Sequence, residues 1–243
     1  MQTAPIVLVS GKEGLLAGRA IERVVGLARA AAPDAEVTVL SAATYQAGSL
    51  ASVAGPSLFA DAAIVTVEGV DDAGEDLTAD LLAYIGSPEP AAVVVLRHAG
   101  GVRARKVLEA VRAAGYPEVA CAEITRDSDK MAFAAAEFRR HDRAITADGL
   151  RSLMDAVGSD LRELAASITQ LVADTSGRIT KADVDKYYGG RVEASGFKVA
   201  DAALSGEAGT ALTLARHAMA TGSDPVLLVA ALASKLRVLA KVG

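Results

Sequence analysis

Ile6-Val7-Leu8-Val9-Ser10-Gly11-Lys12-Glu13 is the stretch on which the fold turns. Four aliphatic residues in a row, three of them β-branched, read as a strand buried on both faces, as a parallel sheet requires. Gly11 breaks the run, and a long helix follows with Ile21, Val24, Val25 and Ala28 on one face. A phosphate loop at this point needs a glycine-rich turn and then Lys with Ser or Thr, for the phosphates and the magnesium. Here Glu13 follows Lys12, and no second glycine stands five residues ahead of Gly11. Glu13 sets a negative charge against any phosphate. The third apolar strand runs into Glu68-Gly69-Val70-Asp71-Asp72, not straight into a metal-holding Asp. The scaffold is of nucleotide type and its nucleotide chemistry is missing. An ATP site using Lys12 with Glu68 or Asp71 stands as the alternative.

Outward from that stretch, residues 1 to about 143 alternate strand and helix. Pro33-Asp34 ends the first helix, and Glu36–Leu40 is the next strand. Tyr45 to Val53 is weakly helical. Ala62-Ala63-Ile64-Val65-Thr66-Val67 is the third strand, Asp76 to Ile85 a helix stopped by Gly86-Ser87-Pro88, and Ala91–Leu96 the most central strand. Gly100-Gly101 introduces a helix around Val107, Leu108 and Val111, and Glu118 to Ile124 is a fifth strand. This pattern predicts an α/β domain with a parallel sheet covered on both faces. From about Ala144 onward strand signals vanish. Asp160 and Glu163 stand at capping-box spacing before the stripe Leu161, Leu164, Ala165, Ile168, Leu171 and Val172. Thr180 caps another helix, with Asp183 placed for its N-terminal amides. Leu212, Ala215 and Met219 mark a further helix, and Asp224-Pro225 opens the last, with stripe Leu228, Leu232, Leu236 and Leu239.

Composition excludes several functions. The chain has 243 residues, 51% of them hydrophobic and 23% charged, enough for a core with room for a second domain. A net charge of −5 opposes a protein built chiefly to hold phosphate backbones. Arg103, Arg105 and Lys106 form a local basic cluster, which reads as a solvated helix face or as a nucleic-acid footprint. His98, His141 and His217 lack ligand spacing, and the one cysteine, Cys121, lies among small apolar residues as a buried hydrophobe would. No metal, cofactor or catalytic residue is expected. No apolar run reaches membrane-span length, and Met1 to Pro5 carries no basic lead into an apolar segment, so a cytoplasmic protein is the expectation.

Ala54-Gly55-Pro56-Ser57-Leu58-Phe59-Ala60-Asp61 precedes the third strand and sets a large aliphatic beside a large aromatic on a short turn. Both side chains pack inward on the sheet, or they form an apolar wedge for a partner's pocket.

Gly11–Leu16, Ser57-Leu58-Phe59, Val93–Leu96, Gly158–Leu164, Ile179–Val184 and Phe197–Ala202, in this order and spacing over essentially the whole chain, resemble the delta subunit of the bacterial DNA polymerase III clamp loader. The resemblance implies an AAA+-like α/β domain at 1–143 without a functional phosphate loop, a helical lid domain at 144–196 and a helical collar domain beginning at 197. Only the first collar helices, 197–243, are present, where the family has a full domain. It implies a subunit that does not hydrolyse ATP and uses no cofactor, within the DNA polymerase III holoenzyme. Its implied partners are the sliding clamp (beta subunit), the gamma/tau and delta prime loader subunits, and primer–template DNA, without a membrane. The clamp-binding residues it implies are Leu58 and Phe59, with Ser57 shaping the turn.

Overall fold

A computed structural model describes residues 4–55, 62–157, 160–188, 196–220 and 224–242. The chain divides into two compact units, Met1–Ile124 and Thr125–Gly243.

The first unit is a five-stranded, all-parallel sheet in the order β2-β3-β4-β1-β5. In chain order its elements are β1 (Ile6–Ser10), α1 (Gly14–Ala31), β2 (Glu36–Ser41), α2 (Ser49–Ala54), β3 (Ala63–Glu68), α3 (Glu75–Gly86), β4 (Ala92–His98), α4 (Arg105–Ala113) and β5 (Glu118–Ala120). The strand expected to be central is the middle one. Val94, Val95 and Leu96 of β4 are sealed from solvent, and they run beside Ile6, Val7 and Leu8 of β1. One face of the sheet packs on α2, α3 and α4 through Leu50, Leu77, Leu81, Val107 and Val111. The other packs on α1 through Ala17 and Val24, with Ile21 half-buried, and on Cys121.

Two expectations shift at the sheet margin. The fifth strand is three residues long, because β1 turns away at Gly11 and leaves β5 no partner beyond Ala120. One further bond extends the pairing, from the Cys121 amide to the Ser10 carbonyl at 2.6 Å. β2, at the opposite margin, is largely exposed, with Val39 64% open to solvent.

The second unit is helical: α5 (Asp127–Arg140), α6 (Ala147–Val157), α7 (Leu161–Asp174), α8 (Lys181–Tyr188), α9 (Gly196–Leu204), α10 (Ala208–Ala220) and α11 (Pro225–Val242). Leu161, Leu164, Ala165, Ile168 and Leu171 of α7 are buried, as their stripe requires. Asp160 accepts from the Glu163 amide at 2.8 Å. Thr180 and Asp183 cap α8 reciprocally, the Thr180 amide donating to Asp183 at 2.9 Å. Arg143 donates to the carbonyls of Val172 and Thr175, each at 2.8 Å, and of Gly177 at 2.9 Å. These bonds close the C-terminal end of α7, where carbonyls lack helical partners. Beside them Ile145 pairs with Ile179 in a single parallel bridge. Among the described side chains of α10, Ala211 and Ala218 are buried, while Leu212 and Met219 face outward. The helix forms at the expected place but turns its smaller residues inward, because α9 lies close against it.

Candidate partner-binding site

All strands are parallel, so the sheet has two chemically distinct ends: one where every strand starts and one where every strand stops. The sequence singles out one stretch at each.

At the strand-stop end, Gly11 has φ +125°, and a Cβ there would lie 2.1 Å from the Cys121 carbonyl oxygen. Glycine is therefore required by the close approach of the chain after β5. The Gly11 amide donates to the His98 carbonyl at 2.9 Å, and the Glu13 amide to the Cys121 carbonyl at 3.0 Å. Glu13 caps α1, its carboxylate accepting from the Leu15 amide at 3.2 Å. A helix N-terminus attracts anions through such free amides and its positive dipole end. Here the chain's own carboxylate holds that place. A phosphate would have to displace Glu13 and break two backbone bonds.

The neighbouring groups at this end are equally committed. Asp71 accepts from the Ala99 amide at 2.8 Å, and Asp72 pairs with Arg103 at 2.9 Å on the surface. Buried His98 takes the Gly100 amide on Nδ1 at 3.0 Å, so its proton lies on Nε2, 3.1 Å from the Arg103 carbonyl. Arg105 pairs with Glu109 at 2.7 Å. Two arginines of the basic cluster thus face acids of their own chain, which weakens the nucleic-acid reading. Lys12 and Lys106 are exposed. At the margin, Glu118 receives Arg112 in two bonds of 2.8 and 2.9 Å and Ser10 at 2.5 Å. The Arg112 bonds and then the Ser10 bond hold its carboxyl at about 2, well below the usual range. Among the described residues no group of three or more His, Cys, Asp or Glu side chains could hold a metal.

Ser57, Leu58 and Phe59, expected to bind the partner, lie outside the described residues. Their attachments on both sides are described. Upstream, α2 buries Leu50 and Ala54 against the sheet and stops at Gly55. Downstream, Ala63 starts β3 and pairs with Glu36 and Ala92.

Sequence reasoning missed what holds α2. Asp80, on α3, accepts on a single oxygen from the Tyr45 hydroxyl and the Gly48 amide, both at 2.6 Å. The Tyr45 hydroxyl in turn accepts from the Leu50 amide at 3.0 Å. Gly48, at φ +82°, makes the left-handed turn into α2. Burial, then the bond to Asp80, pushes the Tyr45 hydroxyl up to about 12. The only signal in the sequence is an acid on the inner side of a predicted helix, and a capping acid reads the same way.

No protein-family model matches the chain, and comparison with curated proteins finds no match. Solved structures do match. The DNA clamp loader delta protein of Bacillus subtilis superposes with a TM-score of 0.65 over 97% of this chain and 73% of its own, at 17% identity. Two variants of Thermotoga maritima RuvB superpose with a TM-score of 0.50 over 83% of this chain, covering 68% and 69% of their own, at 12% and 11% identity. The fold is therefore the expected one, an α/β unit with a parallel sheet followed by helices, shared with these structures.

Proposed function

We propose that this chain is a clamp-loader delta subunit, which binds the sliding clamp through Leu58 and Phe59 and helps open the ring for loading at primer–template DNA. The likeness that carries the reading is the superposition on the Bacillus subtilis clamp loader delta protein, which extends through the α/β unit and the helices after it. Three domains go with it: the AAA+-like domain at 1–143, a lid at 144–196 and the start of a collar at 197–243. The subunit does not hydrolyse ATP. Glu13 supports this, since it occupies the helix N-terminus that a triphosphate needs. Gamma/tau and delta prime subunits supply hydrolysis within the polymerase III assembly, in the cytoplasm.

Burying one leucine and one phenylalanine contributes about 3–6 kcal/mol before ordering costs, enough to anchor a modest interface. Ring opening follows if the pair binds the open clamp interface more tightly than the closed one, since only differential affinity moves an equilibrium.

The test is binding of the full chain to the sliding clamp from the same source, with and without ATP. Wild type binds without nucleotide. Leu58→Ala with Phe59→Ala abolishes binding and leaves circular dichroism and the melting temperature nearly unchanged. A large loss of stability in that double variant makes the pair core and overturns the wedge. ATP affinity lost on Lys12→Ala overturns the non-hydrolysing subunit in favour of a nucleotide site.

A further inference from the structure

We infer that β2 is the pairing edge of a symmetric dimer, in which two copies of this chain join their sheets antiparallel about Thr38. The inference is independent of the function proposed above. The two margins of the sheet differ in how they are guarded. A bare edge offers unpaired amides and carbonyls to any passing strand, and folded proteins blunt it with shortness, charge, proline or a bulge. β5 is blunted: it has three residues, and its first, Glu118, is held by Arg112 and Ser10. β2 has none of these guards. It runs six residues, Glu36-Val37-Thr38-Val39-Leu40-Ser41, with one charge, at its first position, and no proline. It pairs with β3 residue for residue, from Glu36 with Ala63 to Ser41 with Glu68, so no bulge turns it away. Among the described residues nothing pairs with its outer edge. None of its residues is buried, and Val39 is 64% exposed.

A second copy is the occupant because this strand complements itself. Side chains alternate between the faces of a strand, so antiparallel partners that continue one sheet must match parity. Laid about Thr38, each Val37 meets the other copy's Val39, and Thr38 meets Thr38; both are favourable cross-strand pairs. Exposed Val39 thereby gains an apolar neighbour on its own face. Each Glu36 lies opposite a Leu40. The two carboxylates therefore stand four residues apart (40 − 36), about 14 Å along the strand and beyond the screening length of about 8 Å at physiological salt. Their repulsion is weak. A two-fold axis at Thr38 uses the same patch on both copies and closes, so association stops at two. Residues 36–40 of each copy make a small interface, hence a dimer that forms with concentration and not an obligate one.

The experiment is sedimentation of the full chain across a concentration series, as wild type, Val39→Lys, Thr38→Cys and Val39→Cys. The wild-type mass rises from that of one chain toward that of two. Val39→Lys weakens association about tenfold or more, because a charge guards the edge, and leaves the melting temperature unchanged, since the side chain it replaces is exposed. Under mild oxidation Thr38→Cys links to itself, as directly opposed Cβ atoms about 4.5–5.5 Å apart allow. Val39→Cys does not, because its counterpart lies on the diagonal, about 7–8 Å away. Cys121 is buried and takes no part. A wild type that stays monomeric throughout overturns the inference, as does association that Val39→Lys leaves intact. Linking in both cysteine variants, or in neither, overturns the pairing about Thr38. The double variant Leu58→Ala, Phe59→Ala associates as wild type does; if it stays monomeric, that pair joins the copies and the edge is overturned. If Val39→Lys does not fold, the two cysteine variants decide.

Discussion

Two glycine turns of the α/β unit, at Gly11 and at Gly48, use the same materials, a left-handed glycine beside a helix start, for different purposes. At the strand-stop end the amides of Gly11, Glu13 and Leu15 are all spent on acceptors within the chain: the carbonyls of His98 and Cys121 and the carboxylate of Glu13. Around Gly48, past the stop end of β2, the polar groups converge instead on Asp80, midway along α3, and tie the first turn of α2. The first turn is closed on the sheet itself. The second joins α2 to α3. A nucleotide scaffold can lose its ligand and keep its glycine, provided the glycine answers to a close backbone approach.

That contrast can be broken at several points. The largest effect falls on Gly11→Ala, where a Cβ 2.1 Å from a carbonyl oxygen at φ +125° forces β1 and the chain after β5 apart. We expect a loss of about 3 kcal/mol or more, read from urea midpoints. A loss below about 1 kcal/mol would return Gly11 to a ligand-binding role. Leu50→Ala comes next at about 2–4 kcal/mol, because Leu50 is sealed against the sheet and anchors α2.

Arg112→Ala lowers stability only slightly at neutral pH, since Arg112 is exposed and its pair with Glu118 is screened by water. Its pH dependence has a defined sign. Glu118 titrates at about 2 in the folded chain, below its ordinary 4.5, so the pair's contribution is whole above about 4.5 and lost as pH falls toward 2. Stability curves of wild type and Arg112→Ala should converge over that window; a gap that persists at pH 2 assigns the loss to packing. Lys12→Ala is the smallest, within about 0.5 kcal/mol, and leaves clamp binding unchanged. Any larger change in either readout would mean that the closed end still works.

Much of this architecture was legible because its signals are local. Unbroken runs such as Ile6–Val9 and Ala91–Leu96 declare strands buried on both faces, and Asp160 and Thr180 with Asp183 declare helix starts through bonds three residues long. What stayed hidden is pairwise and distant. Tyr45 and Asp80 stand 35 residues apart, Ser10 and Glu118 108, and neither pair has a spacing that marks it. The length of β5 was illegible for the same reason, since it is set by where β1 turns. In α10 the apolar residues Leu212 and Met219 look like a core stripe, yet close helix approach favours Ala211 and Ala218. The defect at Lys12-Glu13 was readable from residue types alone, but not the use to which Glu13 is put.

The strand order has a consequence for synthesis. β1 is made before both of its neighbours, β4 and β5, so Ile6 meets Val94 only after 88 further residues (94 − 6) have been added. At roughly 5–20 residues per second this leaves four aliphatic side chains without their sheet for about 4 to 18 seconds on the ribosome. Non-local parallel pairing is intrinsically slow, and an unpaired apolar strand invites aggregation. This strand, buried on both faces and paired last, is thus the one a nascent-chain chaperone has most reason to shield.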